Sequence, residues 1–178
     1  AIVKATDHII DVCSAPGGKA LHCGELASDG LVVARDLTDA KVSLIQENIN
    51  RTGATNVTAV KCDATVLDED AVRKYDIVIA DLPCSGLGII RKKPDIKYNQ
   101  TEDTLAELVA LQGQILDTVC EYVKDGGVLC YSTCTINKDE NENQVEHFLS
   151  SHKDFKMEKM TQLLPDREHD GFFICVMK

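Results

Sequence analysis

Short runs of β-branched and other apolar residues alternate with longer amphipathic stretches along this chain. Two parallel strands need a crossover of a dozen or more residues between them, and a helix is the usual crossover. The alternation therefore predicts an α/β fold, a doubly wound and mostly parallel sheet with right-handed connections. The last two strands are expected to form a closing, hairpin-like pair. The expected strands are residues 8–13, 31–36, 57–61, 75–80, 128–132, 155–160 and 171–177.

Capping residues and glycines predict where the helices begin and end. Thr38 is placed as the N-cap of a helix that ends near Gly53, and Gly126–Gly127 is expected to stop the longest helix. Asn137, with Glu140 three residues later, matches a capping box at the start of the last helix. The expected helices are residues 19–27, 38–53, 101–126 and 137–152.

Length and composition limit the class of protein. The 178 residues predict a single domain over 1–178, and no apolar run approaches the 18 residues of a transmembrane span. No secretory signal is visible, and the eight cysteines include no C-x-x-C pair, so we expect reduced thiols in a cytoplasmic protein without a metal site. The acidic runs at 68–70 and 139–142 are expected at solvated helix ends. The first residue is Ala1, which indicates an excised fragment.

The net charge is −10, from 19 basic and 29 acidic residues. A free-standing nucleic-acid binder is usually basic, because neutralised phosphates supply much of its affinity. A nucleic-acid substrate would therefore be bound through a local basic patch, or with help from a part that this chain lacks.

Residues 13–19, Cys-Ser-Ala-Pro-Gly-Gly-Lys, connect the first strand to the first helix. In a doubly wound sheet, ligands bind beyond the carboxyl ends of the strands, and glycines let a ligand approach the backbone closely. The segment is not a P-loop, because Cys13 and Ala20 stand at required positions, and it is not a G-x-G-x-x-G loop. These mismatches disfavour a nucleotide phosphate and an NAD-dependent oxidoreductase.

Three more strands end in an aspartate or are followed by one, namely Asp36, Asp63 and Asp81. Asp36 lies 19 residues after Gly17, where a carboxylate accepts both hydroxyls of a ribose, and Asp63 is placed to meet an adenine edge. This anionic rim repels a pyrophosphate but suits a cationic sulfonium joined to adenosine. The pattern predicts S-adenosylmethionine, with its carboxylate at the N-terminus of the first helix.

Cys84 and Cys134 follow the fourth and fifth strands, whose ends are neighbours in this topology. Both lie in polar loops beside the predicted cofactor site, so we expect the two thiols to face one pocket. A thiolate that adds to carbon 6 of a pyrimidine makes carbon 5 nucleophilic enough to attack a sulfonium methyl. The two thiols therefore predict cytosine C5 methylation, with Asp81 holding N3 and the amino group of the base.

Five motifs have the order and spacing found in the RNA cytosine-C5 methyltransferases of the Sun/Nol/Nop group, which the chain resembles from Ile9 to Val176. The resemblance is greatest to the bacterial 16S ribosomal RNA enzymes, largely because of the stretch R-K-K-P-D-I-K. The motifs are A-P-G-G-K at 15–19, D-L-P-C-S-G at 81–86, R-K-K-P-D-I-K at 91–97, S-T-C at 132–134 and D-G-F-F at 170–173.

This resemblance implies a Rossmann-like class I S-adenosylmethionine-dependent methyltransferase fold and roles for individual residues. In the RNA family the Thr-Cys cysteine attacks and the Pro-Cys cysteine assists product release, which makes Cys134 the nucleophile and Cys84 the helper. Ser14 stands where the family usually has Ala, and the family's N-terminal RNA-binding domain is missing from the chain. The implied cofactor-binding residues are Cys13, Ser14, Ala15, Pro16, Gly17, Gly18, Lys19, Asp36, Asp63 and Asp81.

A basic run in the loop after the fourth strand is expected to contact RNA phosphates near the target base. The expected partner is ribosomal RNA, bound by a monomer without membrane or metal. Two alternatives remain: the same chemistry on transfer RNA or another RNA, and a non-catalytic S-adenosylmethionine-binding ribosome-assembly factor. The predicted RNA-binding residues are Arg91, Lys92, Lys93 and Lys97.

Overall fold

A computed structural model describes residues 3–178 and shows seven strands in one sheet, in the order β3-β2-β1-β4-β5-β7-β6. β1 pairs in parallel with β2 and β4, β2 pairs in parallel with β3, and β6 pairs antiparallel with β7. The predicted doubly wound, mostly parallel sheet and its closing antiparallel pair are confirmed. The strands are β1 (His8–Asp11), β2 (Leu31–Asp36), β3 (Val57–Lys61), β4 (Tyr75–Asp81), β5 (Val123–Thr133), β6 (Met157–Leu163) and β7 (Phe172–Met177).

Five α-helices connect or flank these strands. Thr38 caps α2 as predicted, since its Oγ1 accepts a hydrogen bond from the Lys41 amide, and Gly53 ends that helix in the left-handed conformation. Among residues 3–178, no helix combines the length and the apolar character that crossing a membrane requires. The helices are α1 (Gly18–Leu26), α2 (Asp39–Thr52), α3 (Ile96–Asn99), α4 (Glu102–Val119) and α5 (Glu142–Ser151).

The predicted boundary between the longest helix and β5 is wrong by several residues. The helix ends at Val119, and β5 already begins at Val123. Tyr122 lies between them, is buried, and accepts a hydrogen bond from the Asp68 amide at 3.1 Å. This long-range contact fixes the chain beyond the helix, while Gly126, with φ 75°, is accommodated within the strand.

The chain divides into two compact units. The first unit comprises the chain up to Asp81 together with Thr118–Cys130, and the second comprises Leu82–Asp117 with Tyr131–Lys178. In the first unit, apolar side chains of β1 and β2 pack with those of the two helices that follow them, among them the fully buried Ile45. Each such aliphatic side chain contributes about 1.5–3 kcal/mol through burial.

The core of the second unit contains three large aromatic side chains. Tyr131 and Phe173 are fully buried, and their rings meet edge to face with centroids 6.0 Å apart. Phe148 is also buried and stacks on His152 at 4.2 Å. This packing fixes the end of β5, from which the loop carrying Cys134 leaves the sheet.

Candidate active site

The loop between β1 and α1, in the first unit, forms a tight turn. The Gly17 amide donates to the Ser14 carbonyl at 2.6 Å, and the Ser14 amide donates to the Arg35 carbonyl at 2.8 Å. Gly17 has φ 102°, and a Cβ there would lie 3.3 Å from Cγ2 of Ile45. Both the backbone angle and the close approach of α2 require glycine at this position. The peptide bond between Ala15 and Pro16 is cis.

Asp36 ends β2 and holds this turn in place. Its carboxylate is almost fully buried and accepts hydrogen bonds from the amides of Ala15 at 2.9 Å and Leu37 at 2.8 Å. Lys41 contributes an ion pair at 3.0 Å. The structure thus brings Asp36 together with the predicted cofactor loop, and Asp36 fixes the position of the loop backbone.

Asp63 follows β3 on an exposed turn. Its Oδ1 accepts hydrogen bonds from the Thr65 hydroxyl at 2.7 Å and the Thr65 amide at 2.9 Å, which lower the pKa of Asp63 below its ordinary value. The buried Arg35 pairs with Asp68 at 2.5 Å and so anchors the segment that carries Asp63 to β2. This anchor was not recognised in the sequence.

Asp81, the last residue of β4, forms an ion pair with Lys19 of α1, with Nζ and Oδ2 2.5 Å apart. Both side chains are partly exposed, at 27% for Asp81 and 47% for Lys19. The rim of aspartates expected from the sequence is therefore partly neutralised by lysine. This pair joins the end of β4 to the start of α1.

Asp11, the last residue of β1, was not singled out in the sequence. It is 1% exposed, and its Oδ1 has no hydrogen-bond partner among the described residues. Burial raises the pKa of Asp11 to about 7. An unsatisfied buried polar atom costs about 1–3 kcal/mol, and such a cost is typical of functional positions. The one sequence feature that points to a functional role for Asp11 is its acidic side chain in an otherwise apolar strand, shortly before the turn at Gly17 and Gly18.

Replacing Asp11 with asparagine is expected to stabilise the protein at pH 8 and to leave its stability unchanged near pH 3. The folded pKa is raised, so the wild type loses stability as the pH rises from the ordinary value of 3.8 to about 7. The asparagine variant does not ionise and so does not lose this free energy of unfolding. The difference reaches about 4 kcal/mol, because each unit of pKa shift corresponds to about 1.36 kcal/mol. Urea unfolding of both proteins across this range measures the difference. Parallel stability curves would contradict the assignment.

Cys84 and Cys134 lie together in the second unit. Their Sγ atoms are 3.3 Å apart, and the Cys134 amide donates a hydrogen bond to the Cys84 sulfur, also at 3.3 Å. Both residues are half-buried. The hydrogen bond with Cys134, and then burial, raise the pKa of the Cys84 thiol far above its ordinary value. The Cys84 thiol is therefore strongly held in its protonated form.

The capping box predicted from Asn137 and Glu140 is wrong, and so is the expectation that the acidic run at 139–142 is solvated. α5 begins only at Glu142, and Glu140 is fully buried in the second unit. Its Oε1 accepts from the Ser85 hydroxyl at 2.5 Å and from the Asn137 side chain at 3.2 Å. Its Oε2 accepts from the Ser85 amide at 2.8 Å and the Gln112 side chain at 3.0 Å. Because Ser85, Gln112 and Asn137 occupy both carboxylate oxygens, Glu140 does not cap the N-terminus of α5.

The predicted RNA-binding cations lie on the surface of the second unit. Lys92 and Arg91 pair with Asp170 at 2.5 and 3.5 Å, and Arg91 also donates to the carbonyls of Asp166 and Arg167. The other two cations, Lys93 and Lys97, are exposed. A phosphate that binds Arg91 or Lys92 must therefore compete with the Asp170 carboxylate.

The family model and the curated relatives that match this chain indicate the same family. The family model described as 16S rRNA methyltransferase RsmB/F matches residues 3–178. A probable ribosomal RNA small subunit methyltransferase B from Bacillus subtilis is 37% identical over 195 residues, which cover 98% of this chain and 44% of that protein. Its counterpart from Synechocystis is 38% identical over 189 residues, covering 96% and 42%. The chain spans less than half the length of these relatives.

A solved structure has the same fold. NSun6 from Pyrococcus horikoshii is similar with a TM-score of 0.88 and 29% sequence identity, over 98% of this chain and 48% of that one.

Among residues 3–178, no group of three or more His, Cys, Asp and Glu side chains is arranged to hold a metal ion.

Proposed function

Since the chain belongs to the 16S rRNA methyltransferase RsmB/F family, we propose that it transfers a methyl group from S-adenosylmethionine to carbon 5 of a cytosine in 16S ribosomal RNA. The resemblance predicted from the motifs is thereby confirmed. The observation that carries the cytosine-C5 assignment is the contact between the Cys84 and Cys134 sulfur atoms at 3.3 Å. Methylation of a nitrogen or an oxygen needs no thiol, whereas carbon 5 needs covalent activation of the ring.

The first unit has the features that an adenosine with a cationic sulfonium requires. Gly17 lets a ligand approach the turn, no side chain caps the N-terminus of α1 in the described chain, and Asp11 presents an unpaired oxygen. We assign the methionine carboxylate to the α1 amides, the ribose to Asp36 and the adenine edge to Asp63. When bound, S-adenosylmethionine supplies an electrophilic methyl group. The proposed cofactor-binding set is residues 13–19 with Asp36, Asp63 and Asp81.

Cys134 acts as the nucleophile in this proposal. We assign the attacking thiolate to Cys134, as the family resemblance implies, and the resting proton to Cys84, whose pKa is raised by the hydrogen bond with Cys134 and by burial. The Cys134 thiolate adds to carbon 6 of the cytosine and moves an electron pair to carbon 5, which attacks the methyl group. Asp81 holds N3 and the amino group of the base during the addition.

Cys84 assists release. The hydrogen bond with Cys134 is the main cause of its high resting pKa, and that bond is lost once the Cys134 sulfur is joined to the base. The pKa of Cys84 then falls towards the ordinary value, so the thiol releases its proton to solvent more readily and the resulting thiolate can act as the base. Removal of the carbon-5 proton restores the double bond as the Cys134 sulfur leaves from carbon 6.

The RNA backbone is bound by the exposed cations of the loop after β4. Arg91, Lys92, Lys93 and Lys97 are all exposed, and phosphate contacts of this kind position the nucleic acid without reading its sequence. The target cytosine must leave its stack to present carbon 6 to a thiol.

We assign both compact units to one catalytic domain.

Loss of one 5-methylcytidine from 16S ribosomal RNA is the expected result of deleting the gene for the full protein. Nuclease digestion and mass spectrometry of the separated ribosomal and transfer RNAs detect it, with cells carrying the intact gene as the control. Restoration of the gene should return the methyl group. A loss confined to transfer RNA would favour the same chemistry on that substrate, and unchanged methylation of all RNAs would contradict the proposal.

A further inference from the structure

Glu140 occupies an environment that is costly for a carboxylate. Its side chain is fully buried, and the four hydrogen bonds that it accepts all come from the neutral groups of Ser85, Gln112 and Asn137. Burial of a charge costs free energy that strong hydrogen bonds only offset, and apolar residues of the same volume often stabilise a core at least as well. A role in stability alone therefore does not account for a carboxylate here.

The hydrogen bonds of Glu140 connect the two loops that carry the thiols. Ser85 follows Cys84 directly in the chain, and both its amide and its hydroxyl donate to Glu140. Glu140 itself lies six residues after Cys134. The Ser85 hydroxyl also contacts the Thr135 hydroxyl at 2.7 Å, next to Cys134. The two loops are thus fixed to each other immediately beside the sulfur atoms.

We propose that Glu140 is a positioning residue that holds Cys84 against Cys134. The proposal rests on the proposed function, because the thiol pair is the machinery of that reaction. A carboxylate suits the task, since its two oxygens accept all four donors at once and donate nothing. Without it, the Cys84 loop loses the two hydrogen bonds that Ser85 donates to Glu140, and we expect the sulfur atoms to move apart from their contact at 3.3 Å.

Cross-linking of the two thiols tests this geometry without RNA or cofactor. The purified chain is treated with a short bis-alkylating thiol reagent, and the Cys84–Cys134 cross-link is quantified by mass spectrometry of the digested protein. In Glu140→Ala the rate of cross-linking is expected to fall at least about tenfold, because misplacement by ~1 Å costs up to about a hundredfold in proximity. Glu146→Ala, which changes an exposed glutamate of α5, is the matched control and should react like the wild type.

Two further variants keep the test decisive if Glu140→Ala does not fold. Glu140→Gln retains one acceptor oxygen for the Ser85 amide and Gln112, and its amide group can donate to the Ser85 hydroxyl, so near-normal cross-linking is expected. Ser85→Ala removes one of the two links and should slow the reaction about threefold, as loss of one hydrogen bond does. Cross-linking at the wild-type rate in folded Glu140→Ala would overturn the proposal. Where that variant does not fold, cross-linking at the wild-type rate in Ser85→Ala would overturn it.

Steady-state kinetics separate positioning from a general loss of structure. Glu140→Ala is expected to lower kcat for methyl transfer while the KM for S-adenosylmethionine stays unchanged, and Glu140→Gln should restore most of kcat. A rise in the KM for the cofactor with unchanged kcat would contradict a positioning role. If the chain transfers no methyl to RNA, the proposed function fails, but the cross-linking result still decides the role of Glu140.

Discussion

Replacement of Cys134 with alanine is expected to abolish methyl transfer to RNA while cofactor binding stays nearly unchanged. Without the sulfur no bond forms to carbon 6, and carbon 5 remains too weak a nucleophile to attack the methyl group. Loss of a catalytic nucleophile typically lowers kcat by about 10⁴-fold or more. Cys134 belongs to the second unit, and the proposed cofactor residues belong to the first. Transfer of a labelled methyl group measures activity, and calorimetry measures cofactor affinity.

Cys130→Ala is a suitable control for that experiment. Cys130 lies four residues earlier on β5, is half-buried like Cys134, and burial raises the pKa of its thiol. An inert thiol of this kind should be dispensable for transfer. Retained activity in Cys134→Ala would refute the assignment of the nucleophile. Transfer that is lost in Cys84→Ala but retained in Cys134→Ala would reverse the two roles.

The elements whose signals are local could be predicted from the sequence. β2 and β3 have the predicted bounds, Leu31–Asp36 and Val57–Lys61, because each is a short β-branched run between turn residues. α2 is equally close to its prediction, since a capping threonine and a terminal glycine act within one helical turn. The sequence also predicts that Cys84 and Cys134 face one pocket, because strand order makes the ends of β4 and β5 neighbours, whereas their direct contact is seen only in the structure.

Local sequence patterns do not predict the burial of Glu140 and Asp11. The Glu140 carboxylate is bonded by Ser85 and Gln112, which lie 55 and 28 residues away in sequence, so its burial depends on the assembled second unit. The pattern of Asn137 and Glu140 fits a capping box equally well until those partners are present. Asp11 is one acidic residue in an apolar strand, and its unpaired oxygen becomes evident only once β1 is enclosed in the sheet. In both cases tertiary burial changes the role of a carboxylate that local rules place in solvent.

Replacement of Cys84 with alanine is expected to trap the protein on its RNA substrate. Cys134 can still add to carbon 6 and the methyl group can still be transferred, but the base that removes the carbon-5 proton is gone. Elimination then depends on water, and loss of general-base catalysis lowers turnover by about 10²–10⁴-fold. The covalent protein–RNA species should accumulate and appear as a retarded band in a denaturing gel.

A double variant distinguishes this trap from tight non-covalent binding. Cys84→Ala combined with Cys134→Ala should give no retarded band, because the sulfur that forms the bond is absent. In Cys84→Ala, one methyl transfer is expected before turnover stops, so methylated RNA should appear in the band. A band that persists in the double variant would show that another residue bonds to the base. Full turnover without an adduct in Cys84→Ala would assign proton removal to a different group, despite the contact of the two sulfur atoms at 3.3 Å.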